Sequence, residues 1–511
     1  MEEKKSNKIS RRDTLKALVT LPVLGYFANR FYVKYENDLS SSDFTRMKLE
    51  VADTSIQIPA AGYSSKGKQI RLGIVGNGFR GPQVLRSLGF AEKEWSEDKI
   101  KNGVPGPRLQ SFLDQEDLNI VITGVCDTFS QRAEEAADIV SSPFRSGGAK
   151  QLNRPKIYAN YREMLADDNL DAVVILTPDH WHAKMAIDAA RAGKHVYLEK
   201  PMCQTAEEAK LLRDVTLETG IILQVGHQNR QQASYIMAKE IIDKGVIGPV
   251  SLVETYTNRN NDHGAWIRGI PKNANASNIN WKEFLGDKAW REMDLDRYFN
   301  WQKWFEYGTG PAGNQFTHEF DCVNQVMDLG IPKRVIASGG NYYFNDPRDI
   351  PDVFNAIFEY PDRGMSLTYD CTLRNSRLRD KTFLGKDASM EVNVGVAVFP
   401  DSQSEKYKKY ELESDTPLYT YHPKSDAVDA VTSATAKYYH DRGFGYTYHN
   451  GKKLDATYLH VKEWLYCIRQ GIQPSCNVNR GFEETTTFYM SNLAYLEKRV
   501  VEWDAENEKI I

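Results

Sequence analysis

The sequence predicts an α/β chain: an N-terminal doubly wound parallel sheet, then a C-terminal α+β domain with an open, largely antiparallel sheet. Three observations carry this reading. Apolar, β-rich runs alternate with helical stretches from Gln69 to about Gly248. The first of these runs breaks into Gly76-Asn77-Gly78-Phe79-Arg80-Gly81. Beyond Gly248 the β-rich runs lengthen and fewer helices intervene.

Taken in order, the chain opens on a leader. Lys4, Lys5 and Lys8 precede Ser10-Arg11-Arg12-Asp13-Thr14-Leu15-Lys16 and an apolar stretch from Ala17 to Ala28, too short to span a bilayer. A basic head, a twin arginine and a short apolar stretch predict a twin-arginine export signal over residues 1–30, hence a periplasmic protein carried by that machinery. Thr14 stands where Phe is common, and Tyr26 and Ala28 make a poor cleavage pair. Retention of the leader as an anchor is therefore left open, as the sole membrane attachment expected. Residues 31–68 are polar, with Ser40-Ser41-Ser42 and Ser64-Ser65, and read as a tether.

The first domain is read as 69–248. Its strands are expected at Ile70–Val75, Ile120–Cys126, Ala172–Leu176, His195–Leu198 and Ile221–Val225, with helices at Gln131–Val140, His182–Ala192 and Ala206–Glu218 between them. Such alternation implies a parallel sheet with right-handed crossovers. The turn Gly76–Gly81 asks for a strand, a tight bend and a helix, with the backbone open to a pyrophosphate. The acidic end of the second strand, Asp127, follows Gly81 by 46 positions where about twenty are usual. The excess falls in residues 92–117, read as a surface insertion. Asp127 is the candidate for an adenosine ribose; the alternative is a cap on the following helix.

The second domain is read as 249–504, with β-rich stretches Val250–Tyr256, Arg334–Ser338, Val353–Tyr360 and Gly364–Thr372, and final helices, about Ala456–Gln470 and Gly481–Lys498, packing back on the body. The net charge of −4 gives no case for nucleic acid. The six cysteines are scattered without metal-ligand spacing, and His180, His182, His227 and His318 match no familiar metal motif, so no metal is expected.

Three clusters carry chemistry: Thr177-Pro178-Asp179-His180-Trp181-His182 and Glu199-Lys200-Pro201, each directly after a strand, and Gly308–Asp321, which contains Asn314 and His318. Strand ends of a doubly wound sheet form its ligand crevice, so the first two should face a dinucleotide. With Gly226-His227-Gln228 and His318-x-x-Asp321 the chain resembles, from about Gln69 to Asp504, the glucose–fructose oxidoreductase / inositol dehydrogenase / rhizopine catabolism (Gfo/Idh/MocA) family, in its exported branch.

The resemblance implies a Rossmann domain, tightly bound NAD, a small-molecule sugar or glycoside, and catalytic roles for Lys200 and His318. Cofactor contacts are expected from Gly76, Asn77, Gly78, Phe79, Arg80, Gly81, Asp127, Arg132, Thr177, Pro178, His182, Glu199 and Lys200. Asp127 followed by Thr128 favours NAD, while Arg132 leaves NADP open. Substrate contacts are expected from Lys200, Gln228, Trp301, Tyr307, Asn314 and His318, the two aromatics coming from the segment Trp281–Tyr307. Family dehydrogenases acting on polyols commonly carry Asp where this chain has Asn314. One helical turn should bring that residue to His318, and Asp321 is the candidate to replace the missing charge. The expected function is an exported, nicotinamide-dependent carbohydrate oxidoreductase acting as a homo-oligomer. Two alternatives are an NAD-assisted glycoside hydrolase or lyase, working through transient ring oxidation, and a non-catalytic sugar-binding module.

Overall fold

The computed structural model describes residues 58–97, 100–101, 104–147, 153–408, 417–421, 446–449 and 452–511. The leader (1–30) and residues 31–57 of the tether lie outside the described residues. The last stretch of that tether belongs to the fold: Ile58 and Ala60 are buried, and Tyr63 stacks on Tyr466 at 4.2 Å. No described helix is long and apolar enough to cross a membrane.

The first sheet holds β1 (Ile70–Val75), β2 (Ile120–Cys126), β3 (Lys156–Ile157), β4 (Ala172–Ile175), β5 (His195–Leu198) and β6 (Leu223–Val225), in the order β3-β2-β1-β4-β5-β6, all parallel. Strands β4 and β6 are buried at every residue, as a parallel sheet covered on both faces requires. The covering helices are α1 (Gly81–Ser87), α2 (Ser130–Ser141), α3 (Asp179–Arg191) and α4 (Ala206–Thr219). Helix α4 starts on a capping box in which Thr205 and Glu208 satisfy each other's backbone amides, and it ends on left-handed Gly220. Strand order reverses between β1 and β4, which places the ligand crevice at their carboxyl ends.

The expected insertion forms short helices, Lys93–Glu97 and Pro107–Leu113, around a small apolar cluster of Ala91, Leu109 and Phe112 with Trp95 and Phe144.

The second sheet has ten strands: β7 (Val250–Asn258), β8 (Arg334–Gly340), β9 (Val353–Tyr360), β10 (Met365–Thr372), β11 (Lys381–Gly385), β12 (Ala388–Val392), β13 (Val396–Pro400), β14 (Tyr419–Tyr421), β15 (Val501–Asp504) and β16 (Lys509–Ile510). Their order is β14-β13-β12-β11-β7-β10-β9-β8-β15-β16. Pairing is antiparallel except between β7 and β10. One face carries the alternation of a half-buried sheet, as in β10, whose Met365, Leu367, Tyr369 and Cys371 are buried. Against the buried face lies the turn that leads into α5 (Thr317–Met327), where Phe316 stacks on Phe358 of β9 at 4.5 Å. Helices α6 (Ala456–Gln470) and α7 (Val478–Glu497) return to the first sheet: Gln224 Nε2 donates to the His460 carbonyl at 2.7 Å, and His460 Nε2 lies 2.9 Å from the Val225 carbonyl. The two domains thus share one hydrophobic core, and the cleft at the strand ends is walled by both.

Candidate active site

The cleft encloses about 310 Å³. Its floor is the turn after β1. Gly76 has φ +88, and a Cβ there would sit 2.8 Å from the Leu176 carbonyl oxygen, so no side chain fits. A Cβ on Gly78 would approach only the Arg132 guanidinium, at 3.7 Å, which leaves the backbone bare toward the cleft. Asn77 and Gly81 do not line the cleft; they build its floor. The Asn77 side chain donates to the Arg132 carbonyl at 3.0 Å, and its backbone amide donates to Asp127 Oδ2 at 2.7 Å. Asp127 Oδ1 accepts from Phe129 N at 2.8 Å, so each carboxylate oxygen keeps a lone pair for a ligand at the cleft wall.

Arg80 reaches across to Glu199, Nε to Oε2 at 3.1 Å, and joins the glycine turn to the end of β5. Phe79 is 64% exposed, and its ring meets His263 at 4.4 Å, so the segment after β7 arches over the turn. Thr177 and Pro178 line the cleft at the end of β4. The helix that follows starts at Asp179, three residues before the position expected, and His182 falls in its first turn. His182 is buried, with Nδ1 at 2.6 Å from the Pro201 carbonyl and Nε2 at 2.8 Å from the Thr177 carbonyl. His182 lines the cleft as expected, and because both ring nitrogens face backbone carbonyls it also ties two strand-end loops together.

At the other end lie Lys200, Gln228, Trp301, Gln302, Asn314 and His318. Lys200 Nζ donates to the Asn314 carbonyl at 2.8 Å. Burial lowers the Lys200 pKa, while Glu199 and Asp179 oppose that fall. His318 is driven well below its ordinary value, first by burial and then by Lys200, His227, Arg259 and Arg80. It is therefore a neutral imidazole with an open position for a proton, and its Nδ1 is buried without a partner.

Two expectations fail here for identifiable reasons. Residues Ala312–Phe316 form a π-helical turn before α5, so 314 and 318 are not stacked one α-helical turn apart. The Asn314 side chain turns elsewhere: Oδ1 accepts from Gln302 Nε2 at 2.7 Å, while Nδ2 faces Asp179 Oδ2 at 3.4 Å and Thr309 Oγ1 at 3.3 Å. Asp321 does not back His318 either. Its carboxylate takes the Arg230 guanidinium at 2.5 Å, beside Glu484, whose Oε2 lies 2.7 Å from His227 Nε2. The ligand atoms of His227, Asp321 and Glu484 come within 4.8 Å of one another, but Arg230 already supplies the positive charge there. His180 also spends a ring nitrogen on a carbonyl, that of Phe284, at 2.7 Å.

Of the two aromatics singled out, Trp301 lines the cleft and Tyr307 does not. Tyr307 is fully buried in a satellite core with Phe129, Trp281, Phe284, Tyr298, Phe299 and Trp304, a correction to its expected contact with substrate. Burial on two fronts decided this, because Tyr307 sits between His180 and Phe284.

Sequence reasoning missed three groups. Asp179 is buried and accepts from Thr309 Oγ1 at 2.8 Å, and burial raises its pKa to about 6 against the pull of His182 and Lys200. Its place in the Thr177–His182 segment was the available signal. Arg259 and Arg268 also line the cleft, with Arg132. They lie in a polar run just after β7 that has no motif to mark it. Among the described residues, no carboxylate lies within 4.0 Å of any of these three guanidiniums. Burial, then Arg132 and Arg259, lower the Arg268 pKa to about 10.

The arrangement fits a dinucleotide. A bare glycine turn, an acid at the second strand end, buried Thr177 Oγ1 and Arg80 Nη2 without partners, and unpaired cations all converge on one cleft. Fold and site together define a dinucleotide-binding protein of the Rossmann type. Residues 70–227 match the Gfo/Idh/MocA family model, described as an oxidoreductase family with an NAD-binding Rossmann fold, and that match identifies this domain. NAD is the cofactor that domain takes.

Relatives include levoglucosan dehydrogenase of Pseudarthrobacter phenanthrenivorans, 30% identical over 36% of this chain and 42% of that protein. A second is the scyllo-inositol 2-dehydrogenase (NAD(+)) of Bacillus subtilis, 38% identical over 39% of this chain and 58% of that one. The chain spans about half the length of the curated relatives it matches. Among solved structures, levoglucosan dehydrogenase in complex with NADH and levoglucosan superimposes with TM-score 0.55 at 17% identity, over 85% of this chain and 99% of that one. An aldose-aldose oxidoreductase from Caulobacter crescentus gives 0.53 at 15% identity, over 85% of this chain and all of that one (100%). These likenesses establish the fold.

Proposed function

We propose that the protein is an NAD-dependent carbohydrate oxidoreductase that acts on a CH–OH group of a sugar or glycoside. The observation that carries this is that Lys200 and His318 line the same cleft as the Gly76–Gly81 turn and Asp127. When bound, the nicotinamide supplies the hydride acceptor. His318, kept neutral by burial and neighbouring cations, takes the proton of the substrate hydroxyl at a ring nitrogen. Lys200 is anchored on the Asn314 carbonyl and donates a hydrogen bond to the same substrate oxygen. Gln228, buried with its Oε1 unpartnered, orients a second hydroxyl. Trp301 offers a ring face to the sugar's C–H surface.

The twin-arginine leader supports export to the periplasm, where little free dinucleotide is found, so the reading includes a cofactor loaded before export and tightly held. The arch of residues 259–268 over the glycine turn supports that retention.

The test uses the purified full chain. Bound dinucleotide is released and identified, and the holoprotein is then mixed with levoglucosan, scyllo-inositol and a panel of glycosides. Stoichiometric appearance of reduced nicotinamide, abolished by Lys200→Ala, is the expected result. Undiminished reduction in Lys200→Ala removes Lys200 from the mechanism. Turnover of aryl glycosides without added NAD replaces net oxidation by the redox-assisted hydrolase, and no dinucleotide with no reaction overturns the reading.

A further inference from the structure

The charges lining the cleft do not balance. Arg80 is paired with Glu199 at 3.1 Å, and Glu283 with Arg162 at 2.7 Å. Lys200 has Asp179 beside Asn314, the residue on which its ammonium is anchored. What remains is Asp127 against three guanidiniums, those of Arg132, Arg259 and Arg268. A dinucleotide brings two negative charges in its pyrophosphate and, when oxidised, one positive charge in its ring. One positive charge is left over, and an uncompensated charge among half-buried side chains is costly.

Its position follows from a chain of contacts. Arg268 Nη2 donates to Gln302 Oε1, Gln302 Nε2 donates to Asn314 Oδ1 at 2.7 Å, and the Asn314 carbonyl accepts from Lys200 at 2.8 Å. Arg132, by contrast, faces Gly78 and the dinucleotide turn, with its guanidinium 5.1 Å above the Phe299 ring. Arg268 is thus linked to the reacting end through Gln302 and Asn314, it feels the charges of both Arg132 and Arg259, and its Nε is buried without a partner. Arg259 also bears on that end, since it is one of the cations that depress Lys200 and His318.

We propose that the sugar taken by this cleft is acidic: a ring bearing a carboxylate, sulfate or phosphate whose oxyanion lies between Arg259 and Arg268. Guanidinium forks match such groups in charge and geometry, and the pair orients the ring so that its hydroxyl faces Lys200 and His318. This rests on the function proposed above and names its substrate class.

The test measures binding, which needs no hydride transfer. Full-chain protein carrying oxidised NAD is titrated calorimetrically with glucose and galactose, then with glucuronate, galacturonate, glucose 6-sulfate and glucose 6-phosphate. At least one acidic probe should bind about tenfold or more tighter than its neutral parent and weaken with added salt. Arg259→Gln and Arg268→Gln should each erase most of that preference, and the Lys variants, which keep charge without the fork, should keep part of it. Equal binding of neutral and acidic sugars overturns the proposal, as does a preference that survives both Gln substitutions. Tighter holding of NADPH than NADH, lost in the same variants with no acidic-sugar preference, assigns the arginines to a cofactor phosphate and also overturns it. Selective acidic-sugar binding without reduction of bound NAD would leave the ligand class standing and remove the oxidoreductase reading.

Discussion

Asp179→Asn separates what the site costs the fold from what it gives the chemistry. The carboxylate opens α3 inside the cleft, accepts from Thr309, and faces the Asn314 amide. Facing it, the ionisable groups are His182 on its own helix and Lys200 at the end of β5; Thr309 and Asn314 are neutral. Burial lifts its pKa from 3.8 to about 6. A carboxyl whose folded pKa is raised contributes stability that is complete below its unfolded value and lost as pH rises through about 6. A shift of about two units corresponds to about 3 kcal/mol. Asn retains an acceptor for Thr309 and carries no charge to desolvate.

The variant should therefore be more stable than the parent by up to about 3 kcal/mol near pH 7.5, with the difference vanishing near pH 4. Its rate of nicotinamide reduction should fall, and the alkaline limb of the pH–rate profile should move to lower pH, because Asp179 is one of the charges that hold up the Lys200 pKa. The other charges on Lys200, Glu199 raising and Arg259 and Arg80 lowering, are unchanged. Thermal unfolding at the two pH values and a pH–rate profile check both halves. The double variant Asp179→Asn/Asn314→Asp, which restores a carboxylate one hydrogen bond away, should return the limb toward the parent. Lower stability at both pH values would show that the carboxylate's hydrogen bonds outweigh its desolvation. An unmoved alkaline limb would show that Lys200 does not depend on Asp179.

Other substitutions probe the frame. Gly76→Ala places a Cβ 2.8 Å from the Leu176 carbonyl at φ +88 and should cost about 1–3 kcal/mol, read as a lower Tm with weakened NADH binding. Tyr307→Phe should leave KM and Tm near the parent, since the Tyr307 hydroxyl is buried without a partner, whereas Trp301→Ala should raise KM for the sugar. Arg230→Met removes the cation from Asp321 and Glu484, both buried, and should destabilise the fold by about 3–5 kcal/mol at neutral pH, measured by chemical denaturation.

Much of the architecture was legible because it rests on local rules. The apolar run Ile70–Val75 and the glycine spacing after it specify a buried parallel strand and a bare turn without reference to anything distant. The same holds for Lys200, which follows β5 directly and so must stand at the crevice. Tyr307 and Trp301 show where this stops. Both are aromatics near the His318 segment, and only packing against His180 and Phe284, respectively more than a hundred and more than twenty residues from Tyr307 in sequence, distinguishes core from wall.

The support of His318 is the sharper case. Spacing places residues 314 and 321 within a helical turn of the histidine, and both can carry or orient charge. The π-helical turn at Ala312–Phe316 and the buried Arg230 remove both from it, and neither is written in the spacing. The consequence is chemical. With no carboxylate among the described residues bonded to His318 and four basic neighbours (Lys200, His227, Arg259 and Arg80), its imidazolium is a high-energy state, so a proton taken from substrate is held weakly. An oxyanion bound at Arg259 would neutralise one of those neighbours and raise the basicity of His318 only when the substrate is in place. In such a site the substrate itself supplies the charge that position 314 lacks, and the free enzyme keeps a neutral, unreactive base.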